Sequence, residues 1–118
     1  LGCGRVFEGT LEQMQNSLHE LSNLPDRMLV YCGHEYTLNN LKFLEHIFKK
    51  NKILENVKND IISDLDSKKR SIPFYLGDEK KCNPFLNQKC EMALELRDKN
   101  NYSDFEFFRY LREEKDSF

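Results

Sequence analysis

No run of apolar residues in this 118-residue chain approaches the roughly 20 needed to cross a bilayer as a helix, which excludes a span of that kind. Positive charge is not in excess either. The 18 Lys and Arg residues stand against 20 Asp and Glu, a net charge of −2, so the chain as a whole has no electrostatic reason to seek nucleic acid or an anionic membrane. Short clusters such as Lys49-Lys50 and Lys68-Lys69-Arg70 read as solvated helix ends. The start, Leu1-Gly2-Cys3-Gly4, lacks an initiator Met, a charged leader and an apolar leader core, so nothing resembles a signal peptide and the chain reads as a piece of a longer protein, cytoplasmic or else an organellar form. The four cysteines, Cys3, Cys32, Cys82 and Cys90, form no C-x-x-C pair and no zinc-finger spacing, which leaves reduced thiols as the reading. The length allows one domain at most.

What is present centres on Met28-Leu29-Val30-Tyr31-Cys32-Gly33-His34-Glu35-Tyr36-Thr37. The first five residues have the length and β-branched and aromatic content of a buried strand stopped by Gly33. Cys32 then reads as a small core residue. Thr37, followed by Leu38, Leu41 and Leu44, reads as the N-cap of a helix whose apolar face continues to Phe48. His34, Glu35 and Tyr36 fall in the loop between strand and helix, a favoured place for ligands and metals because rigid elements hold it on both sides.

Upstream, three glycines in Gly2-Cys3-Gly4-Arg5-Val6-Phe7-Glu8-Gly9-Thr10 permit close backbone approaches, so the segment is either a loop built to hold something or a plain connector. Thr10 and Gln13 form a capping box opening a helix with Leu11, Met14, Leu18 and Leu21 on one face. A third helix carries Leu54, Val57, Ile61 and Leu65. Residues 71–87, with Pro73, Gly77 and Pro84, have no clear period and read as irregular. A short helix over 89–99 takes its apolar positions from Met92, Leu94 and Leu96. Ser103 and Glu106 form a second capping box, opening a last helix with Phe105, Phe108 and Leu111 inward. One strand among five helices leaves its backbone groups without a partner, at about 1–3 kcal/mol each if buried. The strand therefore calls for missing sequence or a second copy of the chain.

For chemistry, the residues alone offer two places. His34 sits at a strand end, but a lone His is more often structural than a metal ligand, and His19 and His46 lie on helices away from it. Arg112 and Lys115 share a helix face and suit a carboxylate-bearing ligand. The plainer alternative is that they offset Glu113, Glu114 and Asp116 in a solvated terminus.

Four separated stretches change that balance: the glycine-rich run from Gly2 to Thr10, Tyr31-Cys32-Gly33-His34-Glu35-Tyr36-Thr37-Leu38-Asn39-Asn40, Asn83-Pro84-Phe85-Leu86, and Arg112-Glu113-Glu114-Lys115-Asp116. In order and spacing they resemble the C-terminal half of the glyoxalase II family, the hydroxyacylglutathione hydrolases of the metallo-β-lactamase superfamily. The resemblance implies an α+β fragment, mostly helical: residues 1–50 as the C-terminal part of a metallo-β-lactamase-like (αββα) domain, and 51–118 as the family's small helical, glutathione-binding domain. It implies thiolester hydrolysis of S-(2-hydroxyacyl)glutathione, typically S-D-lactoylglutathione to D-lactate and glutathione, at a binuclear zinc centre, with iron or manganese in some members. Carried over, His34 is a ligand of one metal, and Arg5, Phe7, Tyr36, Arg112 and Lys115 bind the glutathione part of the substrate.

Two departures accompany the match. Phe7 stands where many members have Tyr, removing one hydroxyl contact, and the family's His-x-His-x-Asp-His motif and bridging Asp are not in this chain. The fragment is then expected to hold at most one partial metal site, to be inactive alone, and to self-associate or require its missing N-terminal half. The competing readings are a non-catalytic helical module that binds glutathione or an acidic peptide, and a related thiol enzyme such as a persulfide dioxygenase.

Overall fold

The computed structural model describes residues 1–118. In chain order the elements are α1 (Leu11–Ser22), β1 (Leu29–Val30), α2 (Thr37–Ile47), α3 (Lys52–Lys68), β2 (Phe74–Tyr75), α4 (Leu76–Cys82), α5 (Glu91–Asn100) and α6 (Asp104–Ser117). The protein is mostly helical, with a two-stranded antiparallel ribbon pairing Leu29 with Tyr75 and Val30 with Phe74.

The helix starts follow the chemistry of their caps. In α1 the Thr10 side chain accepts from the Gln13 backbone N–H while the Gln13 side chain returns the bond to the Thr10 N–H, and Ser103 and Glu106 do the same for α6. Asn51 caps α3 by accepting from the N–H groups of Ile53 and Leu54. Lys69 and Asn101, in left-handed conformation, end α3 and α5.

The core gathers the inner faces of α2, α3, α5 and α6 around Phe85. Phe85 has no exposure, and its ring meets Phe43 at 6.0 Å and stands edge-on to Phe108 at 6.1 Å. Such tilted aromatic pairs add to the burial of large apolar area that holds the helices together. Leu41, Leu44, Phe48, Leu54, Ile61 and Leu111 complete it, as their helical spacing predicts.

Several expectations are corrected. The strand is two residues long, not five, and not buried: Met28, Leu29 and Tyr31 are exposed. It has a partner within the chain, Phe74–Tyr75, inside the stretch read as irregular. That stretch also contains α4, whose N-terminal turn is tied to the 24–26 segment by Gly77 N–H donating to Asp26 O and by Lys80 Nζ donating to Leu24 O. Because the ribbon ends at Val30, Cys32 is exposed and is not a core residue. The N-cap of α2 is Tyr36, not Thr37, since the Thr37 hydroxyl bonds Glu35 and Ser71 and caps nothing. Leu38 and Leu94 face outward: the former lies at the first turn, where no element covers α2, and the latter opposite the buried Met92–Ala93 edge of α5.

Candidate functional site

Two groups of side chains occupy the positions singled out above. The first lies at the C-terminal end of α6. Arg112 is 2% exposed, which overturns the solvated-terminus reading for this residue. Its guanidinium lies 5.6 Å from the centre of the Phe85 ring, and Nη1 donates to the carbonyls of Cys3 at 2.9 Å and Gly4 at 3.0 Å. Nη2 donates to Asp116 Oδ1 at 2.8 Å, and the Nε–H is buried without a partner. Arg5 reaches the same Asp116 oxygen, with Nε at 3.8 Å. Lys115 lies on the same helix end with Nζ 5.1 Å from the centre of the Phe43 ring.

Three cations thus share one neighbourhood with a single close carboxylate, Asp116. Partial burial and then the Arg112 charge push the Lys115 ammonium below its usual range. The Cys3 thiol is pushed up by burial, an effect that Arg112 partly offsets. A local excess of positive charge on a half-buried face favours an anionic group docking there. Phe7, two residues beyond Arg5, is 88% exposed and presents a bare ring to solvent.

The second group is the 31–37 loop. The rings of His34 and Tyr36 stack at 4.9 Å, 6° from parallel, and both side chains are open to solvent. Between them Glu35, itself exposed, is anchored by three hydrogen bonds: Ser71 donates from its backbone N–H at 2.9 Å and from its hydroxyl at 2.5 Å, and the Thr37 hydroxyl donates at 2.6 Å. Burial raises the Glu35 pKa, but the Ser71 and Thr37 hydrogen bonds outweigh it, and the carboxyl is held below its ordinary value. Glu35 therefore fixes the loop that presents His34 and Tyr36. No group of three or more His, Cys, Asp or Glu side chains is placed to hold a metal ion, so His34 stands as a single donor.

No hydrogen bond or ion pair joins the two groups. A cavity of about 410 Å³ opens between α3, β2 and α4, but neither His34 and Tyr36 nor Arg5, Phe7, Arg112 and Lys115 line it. Sequence reasoning did not assign a role to Asn40, Asn83 or Asp116, which all bond into these regions. The signal was present, since Asn40 and the Asn83-Pro84-Phe85-Leu86 run belong to the stretches that carried the resemblance.

Fold and site define a small helical domain that presents a cation cluster and an exposed His–Tyr pair. Residues 35–118 match the family model described as "Hydroxyacylglutathione hydrolase C-terminus", and the chain belongs to that family. It is 41% identical over 118 residues to a protein named hydroxyacylglutathione hydrolase from Bartonella tribocorum, covering 100% of this chain and 47% of the relative. A protein of the same name from Crocosphaera subtropica is 49% identical over 85 residues, 72% of this chain and 33% of the relative. One from Pseudomonas savastanoi pv. phaseolicola is 40% identical over 121 residues, 99% of this chain and 47% of the relative. The chain spans about half the length of the curated relatives that it matches over its full extent.

Proposed function

We propose that the chain is the substrate-gripping part of a cytoplasmic thiolester hydrolase that acts on S-(2-hydroxyacyl)glutathione, converting S-D-lactoylglutathione to D-lactate and glutathione. The observation that carries this reading is the cluster of Arg5, Arg112 and Lys115 around one carboxylate, in a chain whose relatives bear the hydroxyacylglutathione hydrolase name. Glutathione has two carboxylates and extended peptide bonds. Lys115 suits its glycine carboxylate, with the buried Arg112 adding positive charge from behind, Arg5 suits its backbone, and the exposed rings of Phe7 and Tyr36 its flanks. In this division residues 1–50 close a metallo-β-lactamase-like domain and 51–118 form the glutathione-binding domain. Residues of α2 and α6 share one core, so the two parts would be held rigidly together.

The binuclear zinc centre implied by the family does not fit within these residues alone. His34 supplies one imidazole, and Glu35 beside it is committed to Ser71 and Thr37. A two-metal site needs several more ligands, which have to come from elsewhere in the protein. The share of this chain is then to bind and orient the thioester, and the chain alone is inactive. Its open apolar surface over Leu21, Leu24, Met28 and Leu29 is suited to contact with the rest of the protein or with another copy.

Lys115 lies at the grip and not at the bond that breaks, so its contribution is the same in ground state and transition state and is read in KM. In the full-length enzyme Lys115→Ala is expected to raise KM for S-D-lactoylglutathione by a factor corresponding to about 1–3 kcal/mol, with little change in kcat. An unchanged KM across a range of ionic strength would remove Lys115 from the binding site.

A further inference from the structure

Residues 1–4 belong to no helix or strand, yet each of their four carbonyls accepts a hydrogen bond from a side chain of the helical body. Asn40 of α2 donates Nδ2–H to Leu1 O. Asn83, at the end of α4, donates to Gly2 O at 2.8 Å. Arg112 of α6 takes Cys3 O and Gly4 O. Solvent could satisfy carbonyls on such a strap, so three donors from three elements are more than pairing demands.

The donors are themselves preset. Asn83 Oδ1 accepts from the Phe85 N–H at 3.1 Å, and its Nδ2 also donates to Glu79 Oε1 at 2.9 Å, so the Asn83-Pro84-Phe85 turn fixes the amide facing the strap. Arg112 is steadied by Asp116 and by Phe85 beneath it. The strap is shaped to match: Gly2 has φ +77°, and a Cβ there would fall 2.8 Å from Asn40 Cγ. Directly after the fourth carbonyl come Arg5, which reaches Asp116, and Phe7.

We propose that Asn40 and Asn83, with Arg112 completing the cradle, are positioning residues that lock residues 1–4 so that Arg5 and Phe7 meet the ligand beside Lys115. Asn40 and Asn83 act without touching the ligand. The effect is on binding and runs through Arg5 and Phe7, and it rests on the glutathione reading of that site. Preorganisation of this kind spares the loop an ordering cost when the ligand docks.

The test uses the full-length protein with S-D-lactoylglutathione, together with hydrogen exchange of the ligand-free protein. Asn40→Ala, at a partly exposed position, should raise KM roughly fivefold to tenfold, as loss of one hydrogen bond predicts, and leave kcat within about twofold. Amide exchange over residues 3–9 should quicken while that of α3 and α6 stays unchanged. In an Arg5→Ala background, Asn40→Ala should add clearly less to KM than it does in wild type, because the part of the route that runs through Arg5 is already cut. Asn83→Asp, which keeps the size but removes the donor to Gly2 O, should repeat the exchange change if it folds. An unchanged KM, unchanged exchange over 3–9, or an undiminished KM effect in the Arg5→Ala background would each overturn the cradle. A wild-type enzyme that does not hydrolyse the thioester would refute the proposed function instead, and exchange over 3–9 would then decide the cradle alone.

Discussion

Helices α1 and α6 begin in the same way and end up in different surroundings. Each opens on a hydroxyl N-cap answered by a Gln or Glu three positions on, each carries an apolar stripe at helical spacing, and the two pack against one another. Yet α1 buries no residue at all, whereas α6 buries Phe107, Phe108, Leu111 and Arg112. The cap determines where a helix starts because it pairs N–H groups that nothing else in the helix can reach. Burial is decided by what lies across the stripe. For α6 that is Phe85 and the α2 side of the core. For α1 it is the rim of the core, with Leu11, Met14 and Leu18 half-covered and Leu21 left open.

The largest test of that contrast is truncation of equivalent stripe positions. Phe108→Ala should cost about 3–5 kcal/mol, since it empties a closed core around Phe85. Leu18→Ala, on a half-covered face, should cost less than about 1 kcal/mol in this chain. Urea unfolding of the two variants measures both, and equal losses would show that α1 is as fully packed as α6.

Next in size is the contrast within α6 between its two cations. Arg112→Met keeps much of the apolar stem but leaves the carbonyls of Cys3 and Gly4 without their donor, and should cost about 1–3 kcal/mol. Lys115→Met removes a half-exposed ammonium with no hydrogen bond to lose, and the change in stability should stay within about 0.5 kcal/mol. If the two variants unfolded at the same urea concentration, Arg112 would not be the strut that its buried bonds describe.

The parts of this fold legible in the sequence are those set by neighbours within four residues. Both capping boxes, the α3 stripe and the inward turns of Leu41, Leu44 and Phe108 come from local spacing, and they are where the spacing put them. What could not be read locally depended on contacts distant in sequence. Phe74–Tyr75 is a strand because Leu29–Val30 lies beside it, and nothing in Ser71-Ile72-Pro73 announces that. Arg112 looked like one charge among several at a helix end. Only the return of residue 3, 109 positions away, reveals why it is buried. The Glu35 latch on Ser71, 36 positions on, was hidden for the same reason. His34 and Tyr36 were correctly placed between strand and helix, but their stacking belongs to side-chain geometry that spacing does not encode.

The smallest difference between the two helices is chemical. The box of α1 closes with the neutral Gln13 and that of α6 with Glu106. The Ser103 backbone N–H donates to Glu106 Oε2 at 2.8 Å, and this bond, with that of the Ser103 side chain, holds the carboxyl below its ordinary value of 4.5. A carboxylate near a helix N-terminus is also favoured by the aligned peptide dipoles. Because the folded pKa lies below the unfolded one, the folded state binds fewer protons across that interval. The contribution is therefore complete above pH 4.5 and is lost as pH falls through the lowered value. Glu106→Gln gives α6 the kind of box that α1 has. It should make the acid limb of the stability curve shallower in that window while the neutral-pH plateau changes little. Gln13→Glu should do the reverse, deepening the acid limb by giving α1 a titrating cap of its own. Urea midpoints measured at intervals from pH 7 down to pH 3 would show both changes, and acid limbs that superpose on wild type for both variants would mean that neither cap senses pH.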